Sequence, residues 1–450
     1  MTGSIPRSRS ESTRAHRAKS RRRFLKTTAG AAAAVAVGMP RLSVQAQSGN
    51  MPGIPKKTIT LATMPYTNHA WVVLMGRKGY LADVGITLDP VDPKVILEHQ
   101  GVPQLQNGEI DMTTAYVGLI TGAIDKLPDL KPIHVYSYWA GNAILTRPDS
   151  SIKTVDDFLA EGKPWPEAAS LTMEQLKGKQ ITVPVDPSTY PWLNLVYGFA
   201  GLDMDASDVV RIDDPKAVQL GLAGRVPLAA PGGAVQIYQL QFQADWRVVM
   251  STGQMVKYLD TSAGSEVNTV LNYDLIVSTQ KFIDENRETV LRTSSAIYRT
   301  LDYIFGPDQN QALTEYAPFI NANAGSNLDA AAIKYIFDVI DPFYRWNDQE
   351  RIWTDRSYSL NYDNIYSYQL KKYREKGTIA DRDYDLDDFF QAKNIWEELR
   401  DLKVKADGLM AKADGGNLSP ERQEVVTAAR QHYDRYNFLD AVRFLEAALV

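Results

Sequence analysis

A chain of 450 residues, 44% of them hydrophobic, is too long for one core of ordinary size, so two domains or lobes are expected. Residues 1–46 hold ten of the 49 basic residues and one of the 54 acidic ones, which leaves 39 and 53 beyond them, a formal charge of −14. That balance argues against nucleic acid as a partner, and the lack of cysteine excludes disulfides, thiolate metal sites, a cysteine nucleophile and a lipidated cysteine anchor.

The first stretch, Ser20-Arg21-Arg22-Arg23-Phe24-Leu25-Lys26, precedes a weakly apolar run from Thr27 to Gly38 and the small-residue site Val44-Gln45-Ala46. A basic region, an apolar region and a cleavage site in that order read as a signal peptide over residues 1–46. The paired arginines before Phe-Leu-Lys resemble the twin-arginine export signal, which implies a periplasmic protein cut near Ala46. No later run reaches the length of a membrane span, so no insertion in the membrane is expected.

After a linker over residues 47–56, Lys57 to Thr63 reads as a first strand, and helical spacing follows from Trp71 to Gly79. Gly85 to Pro90 is a second strand, Val95 to Asn107 a helix, Gly108 to Tyr116 a third strand, Leu119 to Leu127 a helix, and Pro132 to Tyr138 a fourth strand. Alternation of this kind predicts a parallel, doubly wound layer. It repeats with strands at Ile181–Val185, Val209–Ile212, Pro227–Ala230 and Trp246–Thr252, and helices at Trp192–Gly201, Pro215–Leu222 and Ala234–Gln243. Each half ends alike, Ile133 to Tyr138 leading into Ala143–Thr146 and Arg247 to Ser251 leading into Tyr273–Ser278. Two α/β lobes joined by two hinge crossings over a cleft explain this repetition most simply. Lobe 1 would comprise residues 57–140 and 273–398, and lobe 2 residues 141–272.

From Thr279 the pattern turns helical, with segments at Thr279–Ile304, Gln309–Asn321, Asp329–Ile340 and Asn361–Lys376. Trp346, Trp353, Tyr358, Tyr362, Tyr366, Tyr368 and Tyr373 form an aromatic belt expected mostly to pack. Within the tail at 399–450, Ala392 to Val450 continues as a helical pair broken at Gly415-Gly416-Asn417, with Ser419-Pro420-Glu421 as a helix start.

The order of these elements resembles the periplasmic solute-binding proteins of ABC importers, in the nitrate, sulfonate, taurine and thiamine-pyrimidine group. The resemblance rests on Lys78 to Ile86, Gln106 to Asp111, Leu176 to Ile181, Ala200 to Leu202, and Gly377 to Ile379 ahead of Asp381–Asp388. It covers residues 57–390 and implies a two-lobed periplasmic-binding-protein fold of the second type. It also implies capture of a small solute, delivery to a permease in the inner membrane, and no chemistry. The segment Ala160 to Thr172 and the tail beyond Leu399 depart from the pattern.

In open α/β sheets ligands bind beyond the carboxyl ends of the strands, where helix N-termini face outward. Ile181 to Leu202 carries that arrangement, with Ser188 and Thr189 as N-cap hydroxyls and Pro191 in the first helical turn. The candidate contacts from lobe 1 are Tyr66, Asn68, His69, Thr114, Tyr116 and Trp139, with Tyr138 beside them and Asn142 at the crossing. Lobe 2 offers Ser188, Thr189, Tyr190, Trp192, Gly232, Gly233 and Asn268, with Asn272 at the return crossing. His69 reads equally as a surface or capping imidazole, Trp139 as hinge packing, Trp192 as packing beneath its own helix, and Asp111 as a cap or brace for its loop. A wall rich in aromatics and poor in Lys and Arg suits a planar or partly apolar organic solute better than a bare inorganic anion, with a sulfonate or carboxylate held by two opposed helix ends as the alternative.

Two rival functions are an exported enzyme on the same fold and an adaptor acting through the helical tail. Against an enzyme, only His69, His99, His134 and His432 follow the leader, and none has metal-ligand spacing. A Gly-x-Ser-x-Gly elbow, a dinucleotide loop and a Walker loop are all missing. No metal and no cofactor are expected.

Overall fold

A computed structural model describes the chain from Met51 to Val450 except residues 97, 186–188 and 260–264. The leader at 1–46 and Ser188 lie outside the described residues. The first strand splits in two, β1 (Lys57–Ile59) and β2 (Leu61–Thr63), and the halves join different sheets. Asp111 causes the break: its carboxylate accepts the Thr60 N–H at 2.7 Å while its own N–H donates to the Thr60 carbonyl at 2.9 Å. The brace expected of Asp111 is therefore present.

β1 pairs only with β3 (Ile86–Leu88) in a two-stranded sheet. The remaining strands of the first half are β4 (Lys94–Val95), β5 (Met112–Tyr116) and β6 (Leu130–Trp139). Those of the second half are β7 (Ala143–Thr146), β8 (Gln180–Val183), β9 (Asp208–Arg211), β10 (Leu228–Ala229) and β11 (Arg247–Ser251), before β12 (Asn272–Thr279) returns. They form two five-stranded sheets, ordered β4-β2-β5-β12-β6 and β11-β7-β10-β8-β9. The two-lobed α/β architecture with two crossings is thus present.

The sheets are mixed, and this corrects the expectation of purely parallel layers. β12 runs antiparallel to β5 and β6, and β7 antiparallel to β10 and β11. Both exceptions are the strands that arrive from the other lobe. A chain crossing the hinge enters its new sheet from the cleft side, opposite in direction to strands that start at the far side. β6 would be an edge strand, but residues 340–344 cover it. Tyr344 donates to the Tyr136 carbonyl at 2.7 Å and Ala140 to the Ile340 carbonyl at 3.1 Å, so the edge and the crossing are both held.

The aromatic belt packs as expected, with Trp353, Tyr362 and Tyr366 buried against Phe390. The segment Ala160–Thr172 contributes to a helix, Trp165–Glu174, whose Trp165 stacks on Tyr258 at 4.8 Å. Lobe 2 also meets the helical region through Phe242, whose ring lies 4.5 Å from that of Tyr335.

The tail holds three helices where a pair was expected: Gln391–Gly415, Pro420–Asp434 and Phe438–Leu449. Ser419 and Pro420 start the second helix as predicted, the Ser419 hydroxyl accepting from the Arg422 N–H. The additional break falls at Tyr436, which is left-handed at φ 61°, and Asn437 caps the last helix. This tail lies on the body. Arg292 clasps Asp440 with two bonds of 2.9 and 2.7 Å, both groups being buried. Burial pushes the Asp440 carboxyl up, but the Arg292 bonds outweigh it and hold the group below the usual carboxylate range. Phe438 packs against Trp346 with ring centres 5.3 Å apart. Met51 and Ile54 pack on the small apolar cluster of the tail, so residues 51 and 54 are not part of a free tether.

Candidate functional site

A cavity of about 250 Å³ lies between the lobes. From the first-lobe sheet and its helices come Tyr66, Asn68, His69, Tyr116, Trp139, Asn272, Asp274 and Tyr373. From the other side come Asn142, Pro184, Thr189, Trp192, Asp214, Gly232 and Gly233. Ten of the fourteen residues expected from sequence therefore line one cavity, although they are spread from Tyr66 to Gly233 in the chain.

Three expected contacts do not line it. Thr114 is buried between β5 and β2, its hydroxyl 3.1 Å from that of Thr63 and accepting the Met64 N–H at 3.1 Å. It holds the loop that carries Tyr66 and does not reach the cavity. Tyr190 turns back on its own strand end and donates to the Pro184 carbonyl at 2.9 Å, with the Arg211 guanidinium over its ring. Asn268 is fully buried and donates to the Asn364 carbonyl at 3.1 Å. The fourth, Ser188, lies outside the described residues.

Thr189 differs from expectation in a way that matters. It is the N-cap residue of the helix Tyr190–Gly198, but its hydroxyl makes no cap bond and has no partner among the described residues. That hydroxyl is buried at a position lining the cavity. A buried hydroxyl without a partner costs about 1–3 kcal/mol, and a ligand atom would remove that cost. Gly232 has a packing reason as well, whereas the nearest atom to a Cβ on Gly233 is the end of the flexible Gln236 side chain. A Cβ on Gly232 would sit 3.1 Å from Pro184 Cγ, and one on Gly233 would strike Gln236 Oε1 at 2.2 Å. The Gly232 N–H donates to Asp214 at 2.9 Å.

The floor of the cavity was not foreseen. Asp274 sits on β12 opposite Ser137 of β6 and Tyr116 of β5. Its Oδ2 accepts from Asn68 Nδ2 at 2.9 Å and Ser137 Oγ at 2.8 Å. Its Oδ1 lies 3.6 Å from His69 Nε2, too far for a hydrogen bond. His69 is not a surface imidazole but is buried, and burial lowers its pKa to about 3, so this contact is not an ion pair. The Tyr136 hydroxyl, which burial pushes well above its ordinary pKa, lies 2.5 Å from His69 Nδ1. Tyr136 is therefore the donor, and the imidazole proton belongs on Nε2, on the side of Asp274.

Burial raises the Asp274 carboxyl to about 7. Behind it Asp341, in the segment that covers β6, is fully buried, and neither oxygen has a hydrogen-bond partner among the described residues. Burial first, and then the charge of Asp274, push Asp341 well above the usual range. The one sequence sign of this pair was an acid inside the apolar run Tyr273-Asp274-Leu275-Ile276-Val277. Asp214 and Tyr373 gave none, because the turn and helix that hold them read as ordinary surface and packing positions.

These shifts fix the direction of a pH effect. For Asp274 and Asp341 the folded values are raised, so their contribution to stability is full below about pH 4 and is lost as pH rises through the folded values. For His69 and His134 the folded values fall to about 3, so their contribution is lost as pH drops from 6.5 towards 3. Above pH 6.5 only the carboxyls act. The melting temperature should fall between pH 6.5 and 8, and Asp341→Asn should flatten that slope and be relatively more stable at pH 8. An equal slope in both proteins, measured by calorimetry, would contradict the assignment.

Two α/β lobes joined by two crossings over a shared cavity define a periplasmic-binding-protein fold, and the comparisons agree. Residues 170–310 match the NMT1/THI5-like family model, a span that runs from β8 through the return crossing and β12. Over that span the chain is similar to that family. No curated protein matches the sequence directly. Among solved structures, one from Methylobacillus flagellatus, described as the periplasmic sulfonate-binding protein SsuA, is similar at 13% identity and a TM-score of 0.52, covering 77% of this chain and 96% of that one. The aliphatic sulphonate binding protein SsuA from Escherichia coli is similar at 14% identity and a TM-score of 0.49, covering 74% of this chain and 91% of that one. The desulfurization enzyme DSZB gives 14% identity and a TM-score of 0.47, over 76% and 99%. At 13% identity and a TM-score of 0.52, the likeness to the Methylobacillus flagellatus structure shows the fold alone.

Among the described residues, no group of three or more His, Asp or Glu side chains is placed to hold a metal ion. No helix there is long and apolar enough to cross a membrane.

Proposed function

We propose that this protein is the solute receptor of an ABC importer, exported to the periplasm by the leader at residues 1–46. It captures a small organic solute between lobe 1, residues 57–140 and 273–398, and lobe 2, residues 141–272, and presents it to a permease. One observation carries this reading: ten residues chosen as ligand contacts line a single cavity walled from both sides of the two crossings. The similar Methylobacillus flagellatus protein is described as part of a sulfonate ABC transporter, which supports the transport role.

The protein binds its solute and does not transform it. His69 is buried, neutral and held by the Tyr136 hydroxyl, an arrangement that fixes a wall. A serine or cysteine nucleophile beside it would be needed for acyl chemistry, and among the described residues none hydrogen-bonds its ring.

Receptor function predicts that a screen of small organic solutes finds compounds that raise the melting temperature, and that small-angle scattering shows compaction when they bind. Turnover of any compound, with no thermal shift across the screen, would overturn the reading.

A further inference from the structure

We propose that the solute is an organic cation built on an aromatic ring, an arylamidine or arylalkylamine, held between the Asp274 and Asp214 carboxylates on opposite walls of the cleft, and not a sulfonate or nitrate. This rests on the receptor reading and adds the charge class of its ligand.

Four observations carry it. The described residues that line the cavity include two carboxylates and no lysine or arginine, so an anion would find no cation to pair with. Asp274 Oδ2 is filled by two donors, while Oδ1 lies 3.6 Å from His69 Nε2, has no hydrogen bond among the described residues and retains accepting capacity. Trp139, Trp192, Tyr66, Tyr116 and Tyr373 line the same cavity, and aromatic faces attract organic cations. Lastly, the buried Thr189 hydroxyl at the lining, without a partner among the described residues, supplies a hydrogen-bonding point from the second lobe.

Coulomb's law gives the sense and rough size of the selectivity. A solute charge within a few ångströms of a carboxylate in a partly dry cleft changes affinity by on the order of 100-fold between the two signs. Titration follows the same logic. The groups that face Asp274 are His69 and Asn68 from the first helix, Ser137 and Tyr136 from β6, Tyr366 from the helix Tyr362–Glu375, and Asp341 from the segment along β6. His69 is neutral and the tyrosines keep their protons, so the carboxyls alone change charge near neutrality. A cation should bind more tightly at pH 8 than at pH 6, and an anion less tightly.

The test uses the full chain and three probe sets built on one aromatic ring: benzamidine and benzylamine, benzamide and benzyl alcohol, and benzenesulfonate and benzoate. Thermal shift and titration calorimetry at pH 6 and pH 8 are expected to show cations bound about 100-fold more tightly than the anions. Asp214→Asn and Asp274→Asn should each weaken cation binding at least tenfold, and the first provides the readout if the second fails to fold. Tighter binding of benzenesulfonate or benzoate, unaffected by either substitution, overturns the charge assignment and leaves the receptor reading standing. Failure of all three sets to bind, with no compaction in scattering, overturns both.

Discussion

Asp440→Ala should destabilise the protein by about 3–5 kcal/mol, because it leaves the buried Arg292 guanidinium without its partner. Arg292 lies on the helix Arg287–Phe305 of the body and Asp440 on the last helix of the tail, 148 positions apart. The pair also engages Asn437, whose amide donates to Asp440 at 2.7 Å, and Glu288, which accepts from Arg292 at 3.3 Å. Removing one charge strands the others. Replacing both, as Arg292→Met with Asp440→Leu, should recover most of the loss, since a buried ion pair is often no better than apolar groups of similar volume. Urea unfolding of the three proteins gives the comparison. A single variant that unfolds at the wild-type midpoint would show that the tail contributes nothing to the body.

The second large effect concerns Thr189 and Asn142. Thr189→Val removes only a hydroxyl that bonds to nothing described, so the fold should be as stable or slightly more so. Solute binding should weaken, because the ligand group that met the hydroxyl is then left unpaired. A loss of about 1–3 kcal/mol corresponds to roughly 5- to 150-fold in affinity. Asn142 stands at the crossing between β6 and β7, its backbone carbonyl accepting the Thr252 N–H at 2.9 Å while its side chain lines the cavity. Asn142→Ala should act on binding in the same sense and keep that backbone bond. The measurement is the affinity for whichever probe of the amine and amidine set binds best, beside the melting temperature of each variant. Lowered stability with unchanged affinity would return both residues to a packing role.

The site divides according to how far its parts lie from one another in sequence. Tyr66, Asn68, His69 and Tyr116 were legible because each ends or follows a strand that periodicity marks, and the ends of such strands are where clefts open. Trp139 and Asn142 were legible from the repeat that places a crossing there. Tyr190 misled for the same local reason: it occupies a cleft position by spacing, but its hydroxyl finds the Pro184 carbonyl six residues back. Thr114 and Asn268 occupy suitable positions yet face inward, satisfied by partners 50 and 96 positions away.

The sequence by itself determined the alternation of strands and helices, the doubled lobe, the two crossings, the helix start at Ser419-Pro420 and most of the aromatic wall, because turn chemistry and hydrophobic period act within a few residues. Only the tertiary structure decided the directions of β7 and β12, the split at Thr60, the docking of the tail through Arg292 and Asp440, and the acidic floor of the cleft. The carboxylate of Asp274 meets Asn68 across 206 positions and its charge acts on the buried Asp341 in the segment along β6. No local pattern specifies such a meeting, because it depends on the register of β12 between β5 and β6, which the packing of the whole sheet sets.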